Sequence, residues 1–410
     1  MAGCGISWHT HDPGVVLGHL GVAIADGADC LADFAGLGEQ DGLFGPVASL
    51  ATAWRAVEAV AATELRGIDT ALTQARARIW TAAGPIEAVT LDFDATLVTS
   101  HSDKQDAAPT YKRGFGFHPL GVWCDETTEC LTVKLRAGNA GSNDAVDHVE
   151  CLRNAIAALP EAYRAGHGRK DNPDQVKHLI LVRADSAGAT HHFVDELLAR
   201  NLDFSIGFAV DQRVRDGLEL VQEEHWAPAI NLDGTARRDA YLVELTELVD
   251  MSSWGEDVRL ICRRERPHPG AQLSVFDTIE GWRHTCHITN TSGVGVAEVE
   301  LRHRGHARVE DRIRTWKTCG LANLPFEDFV RNQAWVAASI IAANLLAWTQ
   351  LLCLDGDLGK AEPKTLRYRL LHVAARLATR GRRLHLRIDN TWPWRHDLLQ
   401  AFQRLRTVLA

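Results

Sequence analysis

A run of twenty residues, 335–354, carries no charged side chain and limits the folds open to this sequence. Its length is sufficient for a helix that crosses a bilayer. It also contains Ser339, Asn344, Thr349 and Gln350. A helix that is apolar on most sides but carries amides and hydroxyls is more typical of the buried centre of a large domain. The run therefore predicts a helical core element and no membrane partner.

The composition agrees with a folded protein of ordinary type. The chain has 410 residues, of which 46% are hydrophobic and 24% charged, which excludes disordered, collagen-like and coiled-coil classes and leaves room for two or three domains. Nine cysteines occur with no CxxC pair, so they are interpreted as reduced thiols. Residues 1–25 show no basic and then apolar leader, so we expect a cytoplasmic protein.

The net charge of −9 hides a segregation of charge along the chain. Residues 364–410 hold eleven Lys or Arg against only Asp389 and Asp397, a local charge of +9, so the remainder carries −18. Such segregation is typical of a protein in which one face follows phosphates. The alternative, equally compatible with charge alone, is a solvated pair of amphipathic helices.

The order of periodic segments predicts an α/β (mixed α+β) fold. In residues 87–99 apolar side chains alternate with polar ones, the period of a strand, which places Asp92 and Asp94 on one face. The further segments predict a mixed central sheet flanked by helices, an inserted β-rich subdomain, and helical N- and C-terminal parts. The expected elements are helices within 1–86, strands near 117–123 and 130–135, helix 144–159, strand 178–185, helix 191–200, strand 204–210, short strands within 211–297, and helices within 298–354, followed by a basic tail at 355–410.

Three acidic positions stand out by their placement. The Asp92/Asp94 pair lies on the first predicted strand, Asp185 ends a later one, and Glu310 lies in a predicted helix, 302–319. Carboxylates brought together in this way bind divalent metal, and two ions stabilise both the attacking and the leaving oxygen of a phosphoryl displacement. The face of the helix around Glu310 carries cations at helical spacing, although a surface helix with salt-bridge spacing has the same pattern. These cations are His303, His306, Arg314 and Lys317.

Several motifs together resemble the DDE transposases of the insertion-sequence 1380 family. They include Leu-Asp-Phe-Asp-Ala-Thr-Leu-Val at 91–98, Val-Arg-Ala-Asp-Ser-Ala at 182–187 and Arg-His-Arg-Gly-His-Ala-Arg-Val-Glu-Asp-Arg-Ile at 302–313. The others lie at 101–104, 111–119, 136–143 and 263–272, so the likeness covers nearly the whole chain. It implies an RNase H-like catalytic core at 87–210 and 298–354, a β-rich insertion at 211–297, and a possible DNA-binding helical unit at 1–86.

The resemblance also implies a site and its partners. Asp94, Asp185 and Glu310 would be the catalytic metal ligands for two Mg²⁺ ions, with Mn²⁺ as a substitute, and Lys317 would hold phosphate near the cut. The tyrosine and arginine of the related third motif correspond to His303 and His306. Double-stranded DNA would be the partner, bound by a homodimer in a synaptic complex associated with the nucleoid. The proposed DNA contacts are Arg263, Arg264, Arg266, His303, His306, Arg314, Arg380, Arg382, Arg383 and Arg387.

Two other functions remain open from the sequence. The segment 92–98 also resembles the first motif of haloacid-dehalogenase-type phosphatases, in which Asp92 would be the nucleophile and Asp94 the acid/base. Against that reading, Ala95 replaces the usual glycine and Asp355-Gly-Asp357 is the nearest candidate for a later acidic motif. The third possibility is a catalytically inactive DNA-binding descendant of a transposase.

Overall fold

The computed structural model describes residues 11–59, 62–164, 179–267, 278–279 and 281–409. The polar loop expected at 165–173 and part of the motif at 263–272 lie outside these residues. The long helices of the N-terminal part are α1 (Pro13–Asp26), α2 (Leu50–Ala59) and α3 (Ala62–Ala83), joined by short helical turns. This part is helical as expected.

The central part alternates strands with helices. Its strands are β1 (Ala88–Ala95), β2 (Val98–Thr99), β3 (Ala108–Pro109), β4 (Phe115–Phe117), β5 (Leu120–Cys124), β6 (Cys130–Lys134), β7 (Leu179–Ala184) and β8 (Asp203–Phe208). Its helices are α4 (Ala145–Ala158) and α5 (His191–Ala199). In the main sheet these strands are ordered β6-β5-β1-β7-β8, with β5 antiparallel and β7 parallel to β1. The expected mixed sheet flanked by helices is confirmed.

The segment 211–297 adds strands to the same sheet. It contains α6 (Gln212–Glu219), β9 (Ala227–Ile230), β10 (Ala236–Glu244), β11 (Arg259–Glu265), β12 (Thr278–Ile279) and β13 (Trp282–Thr289). We expected an inserted β-rich subdomain. The segment is rich in strands, but β13 pairs with β8 over Cys286↔Phe208 to Thr289↔Ser205, and the order continues as β8-β13-β11-β10-β9. The insertion therefore shares the core sheet, because its last strand, β13, pairs with β8 and the other strands extend the sheet outward to β9.

The remaining helices include the one predicted from the uncharged run. They are α7 (Val296–Arg304), α8 (Val309–Trp316), α9 (Phe329–Cys353) and α10 (Arg395–Leu409). By length and composition α9 is the one described helix that alone is suited to cross a membrane, yet most of it is buried within the protein. Helices α1 and α3 pack against it. The prediction of a buried core helix is confirmed.

The polar side chains of α9 explain how an almost entirely apolar helix is fixed in one position. Asn344 accepts from the backbone N–H of Cys130 at 2.8 Å and donates to its carbonyl at 2.9 Å, which completes the hydrogen bonds of the edge strand β6. Ser339 accepts from the Trp316 indole at 2.8 Å. Buried amides satisfied in this way fix the axial position of the helix as well as its face.

The C-terminal part differs from the expectation of a helical tail. Residues 375–388 form an antiparallel hairpin of β14 (Ala375–Arg380) and β15 (Arg383–Ile388), and only α10 is a long helix. Gly381 and Arg382 connect the two strands with φ of +57° and +62°. Two consecutive residues of positive φ define the tight turn whose twist suits a two-residue hairpin, so the turn overrides the helical propensity of the flanking arginines.

Candidate active site

Asp94 and Asp185 come together because their strands are parallel neighbours. Residues 88–93 of β1 pair with residues 179–184 of β7, and the last pair is Phe93↔Ala184. Each aspartate is the residue that follows this pair, so both stand at the carboxyl ends of adjacent strands, about 4.8 Å apart in the sheet. The same offset places both side chains on one face of the sheet. Ligand sites in α/β sheets are typically found at this edge.

The turn that carries Asp185 depends on a glycine in the next strand. The Asp185 carboxylate accepts the backbone N–H of Ala187 at 3.0 Å and so caps a short helical turn. A Cβ at Gly207 would lie 2.8 Å from the backbone N of Ser186 and 3.0 Å from the carbonyl carbon of Asp185. Gly207 therefore lets the turn approach β8, and its role was missed because a single glycine in a strand carries little signal.

Glu310 belongs to the same site by its electrostatic effect on Asp94. The pKa of Asp94 is raised to about 6, chiefly by burial and also by the negative charges of Asp185 and Glu310, against the opposing effects of His306 and the Ala95 N–H. Asp94 is half-buried, whereas Asp185 and Glu310 are exposed. None of the three carboxylates forms an ion pair with another described residue. The three predicted catalytic acids therefore share one solvent-facing site in which like charges repel each other.

Asp92, two residues before Asp94, has a different environment. Its side chain is 2% exposed and accepts two hydrogen bonds from Arg183, Nε to Oδ1 and Nη2 to Oδ2, both at 2.7 Å. The His306 Nδ1 lies 3.0 Å from the same Oδ1. The Asp92 carboxylate is thus held by the Arg183 guanidinium and the His306 ring, and it links β1, β7 and the segment that leads into α8.

A second buried acid continues this network to the helix of Glu310. Asp125 accepts from Arg183 at 2.8 Å and from the Arg308 Nε at 2.9 Å, and these cations hold the pKa of Asp125 below its usual range against the opposing effect of burial. Arg183 also donates to the carbonyl of Arg302 at 2.8 Å. Gly305 allows that contact because any Cβ there would overlap the Arg183 guanidinium. The network therefore fixes the start of α8, and with it Glu310, relative to the two strands.

Two lysines interact electrostatically at this site. Burial and the positive charge of Lys112 lower the pKa of Lys317, while the charge of Asp94 raises it. Lys317 follows α8 directly, and it precedes the irregular turn at Cys319 and Gly320. Lys317 therefore lies near the predicted catalytic acids, and the exposed Lys112 adds a cation that sequence reasoning did not select.

Asp185 also has a histidine nearby. Burial lowers the pKa of His118, and the charge of Asp185 partly opposes this effect. The His118 Nδ1 lies 3.1 Å from the carbonyl of Ala140, and its ring contacts the exposed Tyr111 at 5.7 Å between centroids. Both residues come from the segment 111–119, where we noted a motif but assigned no role.

The predicted DNA contacts of the insertion are largely used within the protein. Arg263 pairs with Glu300 at 2.5 Å, and Arg264 is buried, paired with Glu223 and packed over Trp226 with 4.2 Å from its guanidinium carbon to the ring centre. Arg266 is exposed and lies 3.9 Å above Trp282. Direct phosphate contact by Arg263 and Arg264 is therefore not favoured, because both guanidinium groups are already held by carboxylates.

The predicted contacts near Glu310 divide in the same way. The His303 ring stacks on His287 at 4.2 Å and its Nδ1 lies 2.9 Å from the Ser205 hydroxyl, an internal environment in which burial lowers its pKa well below the usual value. His306 is held by Asp92. Arg314 remains exposed, paired with Asp311 at 2.9 Å. Of these three residues, Arg314 alone is exposed, and its guanidinium pairs with the exposed carboxylates of Asp311 and Glu362, whereas His303 and His306 contact residues inside the protein.

The oxygen ligands of the site suit a hard divalent cation, but the carboxylates are not close enough together to form a closed metal-binding cluster. Within the described ranges, no group of three or more His, Cys, Asp or Glu side chains is arranged to hold a metal ion. Asp94, Asp185 and Glu310 supply carboxylate oxygens, the ligands that Mg²⁺ prefers, and their mutual repulsion is relieved by a bound cation. The three residues therefore fit a metal in their chemistry, and a complete coordination sphere requires further oxygens from substrate or water.

A mixed sheet with carboxylates at the ends of two parallel strands and a third on a fixed helix defines the class of DDE-domain nucleases and transposases. Residues 7–410 match the family described as Transposase DDE domain group 1, and the chain belongs to that family. No curated protein matches the sequence significantly. Among solved structures the chain is similar to the piggyBac transposase in its synaptic complex with hairpin DNA, with 10% identity and a TM-score of 0.45 over 89% of this chain and 73% of that chain.

Proposed function

We propose that this protein is the DNA transposase of an insertion sequence related to the insertion-sequence 1380 family. It cuts the ends of its element and joins the freed 3′-hydroxyl ends to target DNA. The observation that carries the proposal is the convergence of three acids from distant parts of the chain, seen in the effect of Asp185 and Glu310 on the pKa of Asp94. Membership of the DDE transposase family supports the same reaction class.

Asp94, Asp185 and Glu310 would hold two Mg²⁺ ions, for which Mn²⁺ would substitute. Bound there, the ions would stabilise charge on the attacking and leaving oxygens of the phosphodiester. The protein's own contribution is position. The β1–β7 pairing sets Asp94 beside Asp185, the Asp92–Arg183–Asp125 network holds the helix of Glu310, and Lys317 with Lys112 attracts the phosphate towards the carboxylates.

The partner in this proposal is double-stranded DNA, both the element ends and the target, bound by a homodimer in a synaptic complex associated with the cytoplasmic nucleoid. A dimer is proposed because two element ends have to be cut in one event. Its contacts with phosphate would come from exposed cations such as Arg266 and Arg314, since the guanidinium groups of Arg263 and Arg264 are largely buried in ion pairs. Sedimentation of the protein with DNA that carries the element's own ends tests this assignment.

The decisive experiment compares Asp94→Asn, Asp185→Asn and Glu310→Gln in a cleavage assay on the same element-end DNA with Mg²⁺. Each variant should lose at least about 10²-fold in rate, since removal of one group that stabilises the transition state typically costs roughly 10²–10³. Each should still bind DNA. Asp311→Asn is the matched control, because Asp311 is the exposed neighbour of Glu310 and pairs with Arg314. A variant of the three that cuts at the wild-type rate is not part of the site.

Thermal unfolding with Mn²⁺ provides a second readout that does not depend on turnover. Wild-type protein should be stabilised by Mn²⁺, because a ligand that binds only the folded state raises the unfolding temperature. Asp94→Asn and Glu310→Gln should reduce this shift, and Asp311→Asn should retain it. Equal shifts in all four proteins would remove these carboxylates from any metal site.

The phosphatase alternative requires Asp92 as a free nucleophile. Its carboxylate is buried and held by Arg183 and His306, so no face of it is open to a substrate. Hydrolysis of p-nitrophenyl phosphate by wild-type protein, lost in Asp92→Asn and kept in Glu310→Gln, would favour the phosphatase. Absence of DNA cleavage by wild-type protein with retained DNA binding would favour the inactive descendant.

A further inference from the structure

The C-terminal hairpin presents its cations on one face. Side chains alternate along a strand, so residues 376, 378 and 380 share a face with their partners 387, 385 and 383. That face carries Arg376 opposite Arg387 and Arg380 opposite Arg383, with Ala378 opposite His385 between them. Like charges directly opposite each other destabilise a strand pair, so this arrangement favours a polyanion as partner.

These arginines have no acid to neutralise them. All four side chains are exposed, and none of them forms an ion pair or hydrogen bond with any described residue; they belong to Arg376, Arg380, Arg383 and Arg387. Other arginines of the basic segment are used internally. Arg367, for example, donates to the carbonyls at the end of α1, with 2.8 Å to Ala25. The hairpin therefore concentrates four exposed, unpaired arginines on one face.

The reverse face of the hairpin shows which way the arginines point. That face is apolar, with Leu377 paired to Leu386. Leu377 lies against the N-terminal part, since its Cδ1 would be 2.9 Å from a Cβ placed on Gly42. Leu377 is thus turned towards the body of the protein, whereas Leu384 and Leu386 of the same face are exposed. The arginines lie on the opposite face of the hairpin.

The turn supplies one more cation at a cost in backbone strain. Arg382 has φ of +62°, a conformation that glycine adopts freely and a long side chain does not. The preceding position is Gly381, so the tip contains one residue suited to the turn and one that is strained there. Asn-Gly or Gly-Gly would serve the backbone better, and the arginine at this place adds charge instead.

We propose that this hairpin is a sequence-independent DNA-binding ribbon whose arginine face lies on the phosphates of a duplex. Arg376 and Arg380 are four residues apart, roughly 13 Å, which is the axial length of about four base pairs. A two-stranded ribbon also fits the width of the major groove. The identity of the partner rests on the proposed function, whereas the binding face does not. The contacts are assigned to Arg376, Arg380, Arg382, Arg383 and Arg387.

The test measures the salt dependence of binding to a random-sequence duplex, in EDTA so that no cleavage occurs. Arg376→Gln/Arg387→Gln and Arg380→Gln/Arg383→Gln should each lower the slope of log K against log salt by about 1–2, since each lost phosphate contact contributes about 0.9. The control is Arg213→Gln, because Arg213 is an exposed arginine of α6 that pairs with Asp211. An unchanged slope in both double variants overturns the proposal.

Unfolding measurements separate lost contacts from lost structure. Removal of the facing charges should leave the denaturation midpoint unchanged or raise it, and Arg382→Gly should raise it while binding weakens about three-fold or more. Weaker binding together with a lower midpoint in all hairpin variants would overturn the proposal, as would hairpin-dependent binding to anionic lipid vesicles but not to DNA. Asp94→Asn should lose cleavage but keep the salt slope of DNA binding. Failure of the catalytic proposal is therefore seen in the cleavage assay, separately from failure of the hairpin proposal.

Discussion

The most informative substitution is Asp92→Asn, because Asp92 joins the two strands of the site to the helix of Glu310. Both Asp92 and Arg183 have side chains that are 2% exposed, and two hydrogen bonds of 2.7 Å connect them. Removal of one partner of such a buried pair typically costs 3–5 kcal/mol, because the other charge stays buried. Asparagine keeps one acceptor and Asp125 still contacts Arg183, so we expect a loss of about 3 kcal/mol in the free energy of unfolding.

Urea denaturation followed by circular dichroism measures this loss, and a double-mutant cycle assigns it. Arg183→Met alone should also destabilise, whereas Asp92→Leu/Arg183→Met should recover much of the stability, since apolar residues of similar volume replace buried ion pairs well. DNA cleavage should fall in Asp92→Asn although Asp92 binds no metal, because the support of Glu310 is weakened. A change below about 0.5 kcal/mol, the size typical of a surface substitution, would refute the reasoning.

Three further predictions concern stability. Because the pKa of Asp94 is raised to about 6, its ionisation opposes folding. Its contribution to stability is complete below about pH 4, and about 3 kcal/mol is lost as the pH rises from about 4 through 6, so the difference in urea stability between wild type and Asp94→Asn should show this decline. Glu129→Gln should cost about 3–5 kcal/mol in urea denaturation, since buried Glu129 holds Arg76 at 2.6 Å, and Glu129→Asp is its charge-retaining control. Gly320→Ala should lower the thermal midpoint, because Gly320 has φ of +91° and a Cβ there would lie 3.1 Å from Ile24; a midpoint equal to that of Gly36→Ala, where the added Cβ meets nothing, would contradict this.

The strands and acids of the site could be predicted because their signal is local. Alternation in residues 88–95 and an apolar run that ends in Asp185 are properties of short segments, and parallel pairing of two such strands brings their carboxyl ends together. The uncharged run was interpreted correctly for a similar reason, since amides such as Asn344 have a specific function only inside a protein. Membership of the DDE family then agreed with the motifs.

What sequence could not predict depends on partners distant in the chain. Arg264 and His303 have the residue type of DNA contacts, but Glu223 and His287 reach them only after folding. Nothing near Arg183 in the sequence indicates that Asp92 will bind it. The hairpin was missed because its two-residue turn has Gly381 before a non-glycine of positive φ, which is uncommon.

The continuous sheet from β6 to β9 has a mechanical consequence for any long ligand. Separating the strands of 227–289 from the catalytic half would break the four residue pairs between β8 and β13, where Ile206 and Ile288 are fully buried. The two halves of the sheet therefore move as one rigid body, and the distance from Asp185 to the outer strands is fixed. A DNA duplex that contacts both halves of the sheet has to bend to match this rigid surface. The deformation energy is then stored in the DNA and depends on how easily its sequence bends.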